Sequence, residues 1–280
     1  MPPPPATTLA AAVEPGEVIM ALPYGLWQAG VRTAALRLRA LGGADELALA
    51  EALAAGASAA RAGNLLIGRC AAFADAAAPL GMLAAADLAL GDREVVLRAL
   101  HVVSLGPGVE GRTACAHCGA AVEYDLNLDQ PTERPPEPGP WHQLAIPGGT
   151  IKCRVLTGAD LERAAGSVDT DSLALLADAA TGGQAVSGAA GREILGAALA
   201  RLDPNAETAV SVGCPVCGRI TRFWLDSFEL IRRGLAAAGG VMRQIHTLAA
   251  AYGWSESEIL TLPRHRRLLY CRMVAAGSPG

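Results

Sequence analysis

The chain has 280 residues, of which 51% are hydrophobic and 18% charged, and its net charge is −4. Such a composition can fill a sizeable core and excludes a globally disordered chain, while the acidic balance argues against a general nucleic-acid binder, which is more often basic. Alanine supplies about a fifth of the residues and aromatics only 4%, which points to closely packed helices.

Residues 1–16 open with Pro2 to Pro5 and are expected to form a mobile tail. They lack a basic stretch followed by an apolar one, so no secretory signal is expected and the protein is placed in the cytoplasm of the producing cell. The uncharged run Val18 to Val31 is 14 residues long and is broken by Pro23 and Gly25. A membrane span needs ~20 apolar residues, so none is expected. Strands are predicted over 17–22 and 30–39. Helices follow over 45–55, 57–76 and 92–104, the last capped by Asp92, and then a hairpin over 109–128. Residues 131–149 are proline-rich and read as a linker. A strand is predicted at 150–156, helices at 159–166, 171–180 and 190–202, and a second hairpin at 207–225. Residues 227–252 read as a long helix interrupted at Gly239-Gly240. Ser255 and Glu258 form a capping box that opens a short helix, 256–262, ended by Pro263. A last helix runs to about residue 274.

Seven cysteines are present, four of them in two short pairs, Cys115-Ala-His-Cys118 and Cys214-Pro-Val-Cys217, each followed by glycine. Two intervening residues let both sulfurs point at one ion, and the glycine permits the turn that aims backbone N–H groups at them. One pair supplies two ligands, whereas a closed zinc site takes four. Identical spacing in both pairs therefore predicts one shared tetrahedral site in a reducing compartment. The alternatives are two redox motifs or a metal-free disulfide pair. Neither pair opens a helix after a strand, which weakens the redox reading. His117 lies inside the first loop and reads as a solvent-facing residue.

The two pairs are 99 positions apart, and the same shift matches more of the chain. Arg93-Glu94-Val95-Val96 falls on Arg192-Glu193-Ile194-Leu195, Tyr124 on Phe223 and Leu126 on Leu225. Upstream, Leu41-Gly-Gly-Ala-Asp45 matches Leu156-Thr-Gly-Ala-Asp160 at a shift of 115, so the first copy holds 115 − 99 = 16 extra residues between the two landmarks. The expected fold is α+β, a helix-rich module present twice, with two C-x-x-C hairpins forming a shared zinc ribbon and C-terminal helices added. Its segments are 1–16, 17–130, 131–149, 150–226 and 227–280.

Other chemistry is sparse. The carboxylate pairs Asp45/Glu46, Asp92/Glu94 and Asp160/Glu162 all fall at predicted helix starts, where they complement the dipole. Gly183 and Gly188 have phosphate-loop spacing but are followed by Ala189-Ala190 and lack the lysine. Trp141, Trp224 and Trp254 read mainly as packing anchors. Arg264, His265, Arg266, Arg267 and Arg272 with Tyr270 form the best nucleic-acid candidate, able to track phosphate and stack a base. A partner-docking or solvated face is favoured over it, because residues 258–270 combine an apolar and an arginine face.

The stretch His246-Thr-Leu-Ala-Ala-Ala-Tyr252-Gly-Trp254-Ser-Glu-Ser-Glu258-Ile259-Leu260-Thr-Leu262-Pro263-Arg264-His-Arg266-Arg267-Leu-Leu-Tyr270 resembles the closing motif of baseplate proteins of contractile phage tails and phage-like injection systems. The Leu-x-Gly-Ala-Asp turns and paired Cys-x-x-Cys-Gly knuckles are similar to that group as well. The resemblance implies a non-enzymatic structural or assembly role in a tail baseplate; the spacing argument adds one structural zinc per chain on Cys115, Cys118, Cys214 and Cys217. The implied partners are other baseplate or tail proteins, with no small-molecule substrate. The partner surface is expected at Trp254, Ile259, Leu262, Arg264, Arg266, Arg267 and Tyr270. The proline-rich joint and residues 181–191 match nothing in the group. The alternative is a zinc-ribbon nucleic-acid binder using the C-terminal arginines.

Overall fold

The computed structural model describes residues 17–277 except 75, 77, 168–170, 187 and 238, so the expected tail at 1–16 lies outside the described residues. The first half opens with a hairpin of β1 (Glu17–Gln28) and β2 (Val31–Arg39). Next come α1 (Gly43–Ala54), α2 (Ala59–Cys70), a short β3 (Ala71–Phe73), α3 (Met82–Ala86) and α4 (Leu90–Leu105). The hairpin of β4 (Gly108–Ala114) and β5 (Ala121–Asn127) closes this half. The second half also runs from a hairpin through helices to a hairpin, with nothing in the place of β3 and α3 among the described residues. It has a hairpin of β6 (His142–Ile146) and β7 (Gly149–Cys153), then α5 (Gly158–Ala165), α6 (Ser172–Thr181) and α7 (Gly188–Leu202), then a hairpin of β8 (Thr208–Gly213) and β9 (Ile220–Leu225). Four helices end the chain: α8 (Ser227–Ala236), α9 (Gly240–Tyr252), α10 (Glu256–Thr261) and α11 (Arg264–Gly277).

Two expectations need correction. The helix predicted over 57–76 stops at Cys70. Ala71–Phe73 turn extended and pair with β2, which gives a three-stranded antiparallel sheet. The helix-favouring alanines yield there to the open edge of β2, whose unpaired backbone groups need partners. The proline-rich segment does not run unbroken to residue 149 either. Its last residues form β6, so the predicted lone strand at 150–156 is the second arm of a hairpin. The predicted break at Gly239-Gly240 separates α8 from α9. Both glycines have positive φ, and residue 238 lies outside the described residues. Between α2 and α4 the first half carries β3 and α3, whereas α6 leads directly to α7 among the described residues.

The largest apolar core lies in the first half. Leu36 and Leu38 of β2, Leu66 and Ile67 of α2, and Val96, Leu97 and Leu100 of α4 pack there with Phe228, Ile231 and Leu235 of α8. The second core is smaller, built on Tyr24, Ala89, Cys153, Val155, Leu195 and Leu202. It therefore already includes residues of both halves. The junction also carries backbone bonds, with Leu90 N–H donating to Leu156 O at 2.9 Å and Gly158 N–H to Leu88 O at 3.2 Å.

One polar device occurs in both halves at the shift of 115. Arg39 grips Asp45 with both terminal nitrogens, at 2.5 and 3.1 Å, and donates to its neighbour Ala40 O at 3.0 Å. Arg154 does the same to Asp160, at 2.7 and 3.0 Å, and to Val155 O at 3.0 Å. Each aspartate also caps its own helix, accepting the Gly42 or Thr157 N–H at 2.9 Å. A second arginine joins each group, Arg69 at 2.9 Å and Arg163 at 2.6 Å. These partners outweigh burial and hold both carboxyl groups below the usual aspartate range.

The C-terminal helices close onto α1 through Glu46. Arg267 is fully buried and pairs with Glu46, while its Nε donates to Gln244 Oε1 at 3.0 Å and its Nη1 to Leu262 O at 2.8 Å. Arg264 reaches the other Glu46 oxygen at 3.0 Å and Gly234 O at 3.0 Å. Ile259 is fully buried as well. Three residues expected on a partner surface, Ile259, Arg264 and Arg267, are thus turned inward. A carboxylate buried on α1 needs those cations more than solvent does. Arg267→Ala should leave Glu46 to Arg264 alone and cost about 3 kcal/mol of unfolding free energy in denaturant titrations, the low end for a broken buried pair.

Two buried aspartates sit where β1, α4 and the end of α7 meet. Strand β1 bulges between Ala21 and Leu26, at Gly25 with φ +92°, and turns two N–H groups away from the ladder. Asp92 accepts both, from Tyr24 at 2.9 Å and Gly25 at 2.7 Å. Asp203 accepts Gly91 N–H at 2.8 Å, and its other oxygen has no hydrogen-bond partner among the described residues. Burial raises Asp92 to about 6 against its backbone donors and Arg32. Burial, reinforced by Asp92, raises Asp203 to about 7. Unfolded aspartate titrates near ~4, so the folded chain holds these protons more tightly. Stability is then highest where both states are protonated and falls as pH rises toward about 7. Unfolding free energy should decline by on the order of 2–4 kcal/mol between about pH 5 and 8, and Asp203→Asn should flatten the slope.

Candidate metal centre

The knuckles are the tips of two hairpins. Cys115 follows β4 and Cys214 follows β8. In each tip the first cysteine N–H closes the turn, Cys115 onto Ala120 O at 2.8 Å and Cys214 onto Arg219 O at 2.9 Å. The glycine after each second cysteine donates back to the first, Gly119 to Cys115 O and Gly218 to Cys214 O, both at 2.9 Å. Gly119 has φ +72° and Gly218 +71°, the left-handed conformation the motif requires.

The hairpins pack face to face. Tyr124 and Phe223, matched by the 99-residue shift, stack at 4.8 Å between centroids. Beneath them Val122, Cys115 and Cys214 form a small buried cluster. The four sulfurs of Cys115, Cys118, Cys214 and Cys217 all lie within 4.8 Å of one another. Two approaches cross between the hairpins, Cys115 to Cys217 and Cys118 to Cys214, each at 3.7 Å. A tetrahedron with zinc–sulfur bonds of ~2.3 Å has edges of about 3.8 Å, so the sulfur spacing fits such an ion.

Local donors favour the thiolate at the inner cysteines. The Thr221 hydroxyl and the His117 N–H bring the Cys115 thiol down to about 5. The Cys217 and Val216 N–H groups lower Cys214. Thiolate is the metal-binding form. Thr221 was not singled out from the sequence; it occupies the place that the 99-residue shift assigns to Val122, and its Oγ1 also accepts Ala116 N–H at 3.3 Å. His117 is exposed, with Nε2 at 3.2 Å from Ile220 O and not among the sulfurs.

The other candidates separate. All six paired carboxylates have internal partners: Glu94 accepts Ser227 N–H at 3.2 Å, Glu162 accepts Asn64 Nδ2 at 2.8 Å, and the remaining four are bound as described above. Of the expected partner surface, Trp254, Leu262, Arg266 and Tyr270 keep some exposure. Trp254 stacks on Tyr252 at 4.8 Å and meets Tyr270 edge-on at 5.2 Å, with the Arg266 guanidinium 6.0 Å from the Tyr270 ring. Tyr252, 41% exposed, belongs to this cluster although it was not singled out; it lies within the quoted motif.

No protein-family model matches the chain, and no curated protein or solved structure does either. Among the described residues no helix is long and apolar enough to cross a membrane. Four cysteines from two distant hairpins thus stand at metal-binding distance. Cobalt(II) added to the reduced chain should give intense thiolate-to-metal absorption that saturates. Cys118→Ser or Cys217→Ser should weaken binding at least about tenfold.

Proposed function

We propose that the chain is a non-catalytic, zinc-stabilised structural or assembly component of a contractile-tail baseplate, in a phage or an injection system. One zinc per chain, on Cys115, Cys118, Cys214 and Cys217, ties two copies of one module together. The observation that carries this reading is the convergence of four sulfurs from hairpins 95 residues apart in sequence. When bound, the ion neutralises the thiolates and links the two hairpins, a structural role. The duplication is supported by matching knuckle bonds at a shift of 99 and matching Arg–Asp grips at a shift of 115. The tail assignment rests on the motif at 246–270. Exposed Tyr252 and Arg266 with half-buried Trp254 and Tyr270 are its candidate contacts with neighbouring tail proteins. The nucleic-acid alternative loses support, because Arg264 and Arg267 are spent on Glu46.

Elemental analysis of the purified chain should find about one zinc, lost in Cys214→Ser. In lysates of the producing cell the chain should co-sediment with contractile particles or their assembly intermediates. Absence from every tail-sized fraction, with zinc intact, would sink the baseplate reading and leave the zinc clamp standing.

A further inference from the structure

The four knuckle cysteines differ in access. Cys115 and Cys214 are buried, each 3% exposed, whereas Cys118 and Cys217 are exposed. Each 3.7 Å approach joins a buried sulfur of one hairpin to an exposed sulfur of the other, Cys115 to Cys217 and Cys214 to Cys118. Every exposed thiol therefore has a sheltered one facing it across the seam, the arrangement of an attacked cysteine beside a resolving one. The remaining three are placed otherwise. Cys70 and Cys153 lie inside the two apolar cores, and Cys271 is half-buried on α11.

The seam between the tips has contacts of its own besides the sulfurs. Ala116 N–H donates to Thr221 Oγ1 at 3.3 Å, His117 Nε2 lies 3.2 Å from Ile220 O, and Tyr124 stacks on Phe223 at 4.8 Å. These contacts press the first knuckle against β9, so sulfurs of opposite hairpins stay opposed when a metal leaves. A disulfide needs its sulfurs at ~2.0 Å. Closing 3.7 Å to that length takes about 1.7 Å, shared between two hairpin tips.

We propose that the four cysteines form a redox-switched clamp: a zinc thiolate site when reduced, and two disulfides across the hairpins, Cys118–Cys214 and Cys115–Cys217, when oxidised by a hydroperoxide. The pairing rests on the sulfur geometry, and the release of zinc rests on the one-zinc reading above. The exposed Cys118 thiolate attacks one peroxide oxygen. An S–O bond forms, the O–O bond breaks and hydroxide leaves, which gives a sulfenic acid. The Cys214 thiolate attacks that sulfur, an S–S bond forms, and the S–O bond breaks with loss of a second hydroxide. The two sulfurs give up two electrons and the peroxide takes them. Cys217 and Cys115 repeat the sequence. Four thiolates thus consume two peroxides, yield four hydroxides and release one zinc ion. Both bonds join the two hairpins, so the halves stay tied after the metal has gone, where closure within each knuckle unties them.

The test is non-reducing peptide mapping of the full, zinc-loaded chain after titration with hydrogen peroxide, with zinc release followed by a chromogenic chelator. Trypsin cuts after Arg112 and Lys152 and after Arg201 and Arg219, and it spares Arg134 because Pro135 follows. Peptide 113–152 then carries Cys115 and Cys118, and peptide 202–219 carries Cys214 and Cys217. The two should run as one species that reduction separates, with about one zinc released per two peroxides consumed. In Cys217→Ser the Cys118–Cys214 bond should still form and leave Cys115 free for alkylation. The reduced, zinc-free wild-type chain should give the same pairing. Disulfides closed within each knuckle, linkage between chains, or oxidation that ends at sulfinic acid overturns the proposal. A chain that links across the hairpins but holds no zinc confirms the pairing and overturns the zinc reading on which the release rests. Zinc without cross-hairpin disulfides leaves the zinc reading standing and overturns this inference.

Discussion

Four sulfurs meeting at the tips of two hairpins are the constraint on which the arrangement of the halves depends. Bare thiolates at 3.7 Å repel one another, and protonated thiols offer only weak hydrogen bonds. A metal ion held there would turn the same spacing into a strong junction, because metal binding in small thiolate sites is worth ~10–16 kcal/mol. The second half needs such help. Its core rests on six buried residues, two of which, Tyr24 and Ala89, belong to the first half.

Buried charge does the rest of the positioning, and arginine is the residue that performs it. Of 23 basic residues only Lys152 is lysine. Each Arg–Asp grip requires two parallel donors in a plane, which a guanidinium offers and an ammonium does not. Glu46 shows the same logic across a longer distance. Its two oxygens take one cation each from Arg264 and Arg267, about 220 residues later in the chain. That ion cluster is poor as a source of net stability, since hydrophobic packing of the same volume serves as well. It is good at specifying where α1 must sit against α9–α11.

The legible parts were those governed by local rules. The knuckles followed from spacing and glycine, the break in the α8–α9 region from Gly239-Gly240, and the last short helix from the Ser255–Glu258 box, which the structure closes at 2.8 and 3.3 Å. What failed depended on distant partners. Nothing local tells Ala71–Phe73 to leave a helix; the open edge of β2, more than thirty residues earlier, does so. Strand β6 was hidden because its partner β7 lay beyond a boundary drawn by proline content. Arg264 and Arg267 looked like a surface cluster because Glu46 was invisible from their own segment. The carboxylates at the helix starts were placed correctly, but their partners, Ser227 for Glu94 and Asn64 for Glu162, came from other helices.

If the halves are two copies of one module, as proposed, their outer faces have diverged in a way that bears on how neighbours are told apart. Two unaltered copies present equal faces related by a near two-fold, and such a body cannot distinguish one neighbour from another by direction. The outward positions of the two hairpins have separated. Ala121, Glu123 and Asp125 on β5 correspond to Ile220, Arg222 and Trp224 on β9, all of them exposed. One face is small and acidic, and its counterpart is apolar and basic. The covering segments have separated in the same sense, a helix after β9 and prolines after β5. On that reading the two sides are distinguishable while the junction of four sulfurs stays common to both halves. Changes on the outer faces leave that junction alone, because side chains alternate along a strand and the residues that pack between the hairpins, Val122, Tyr124 and Phe223, point the other way.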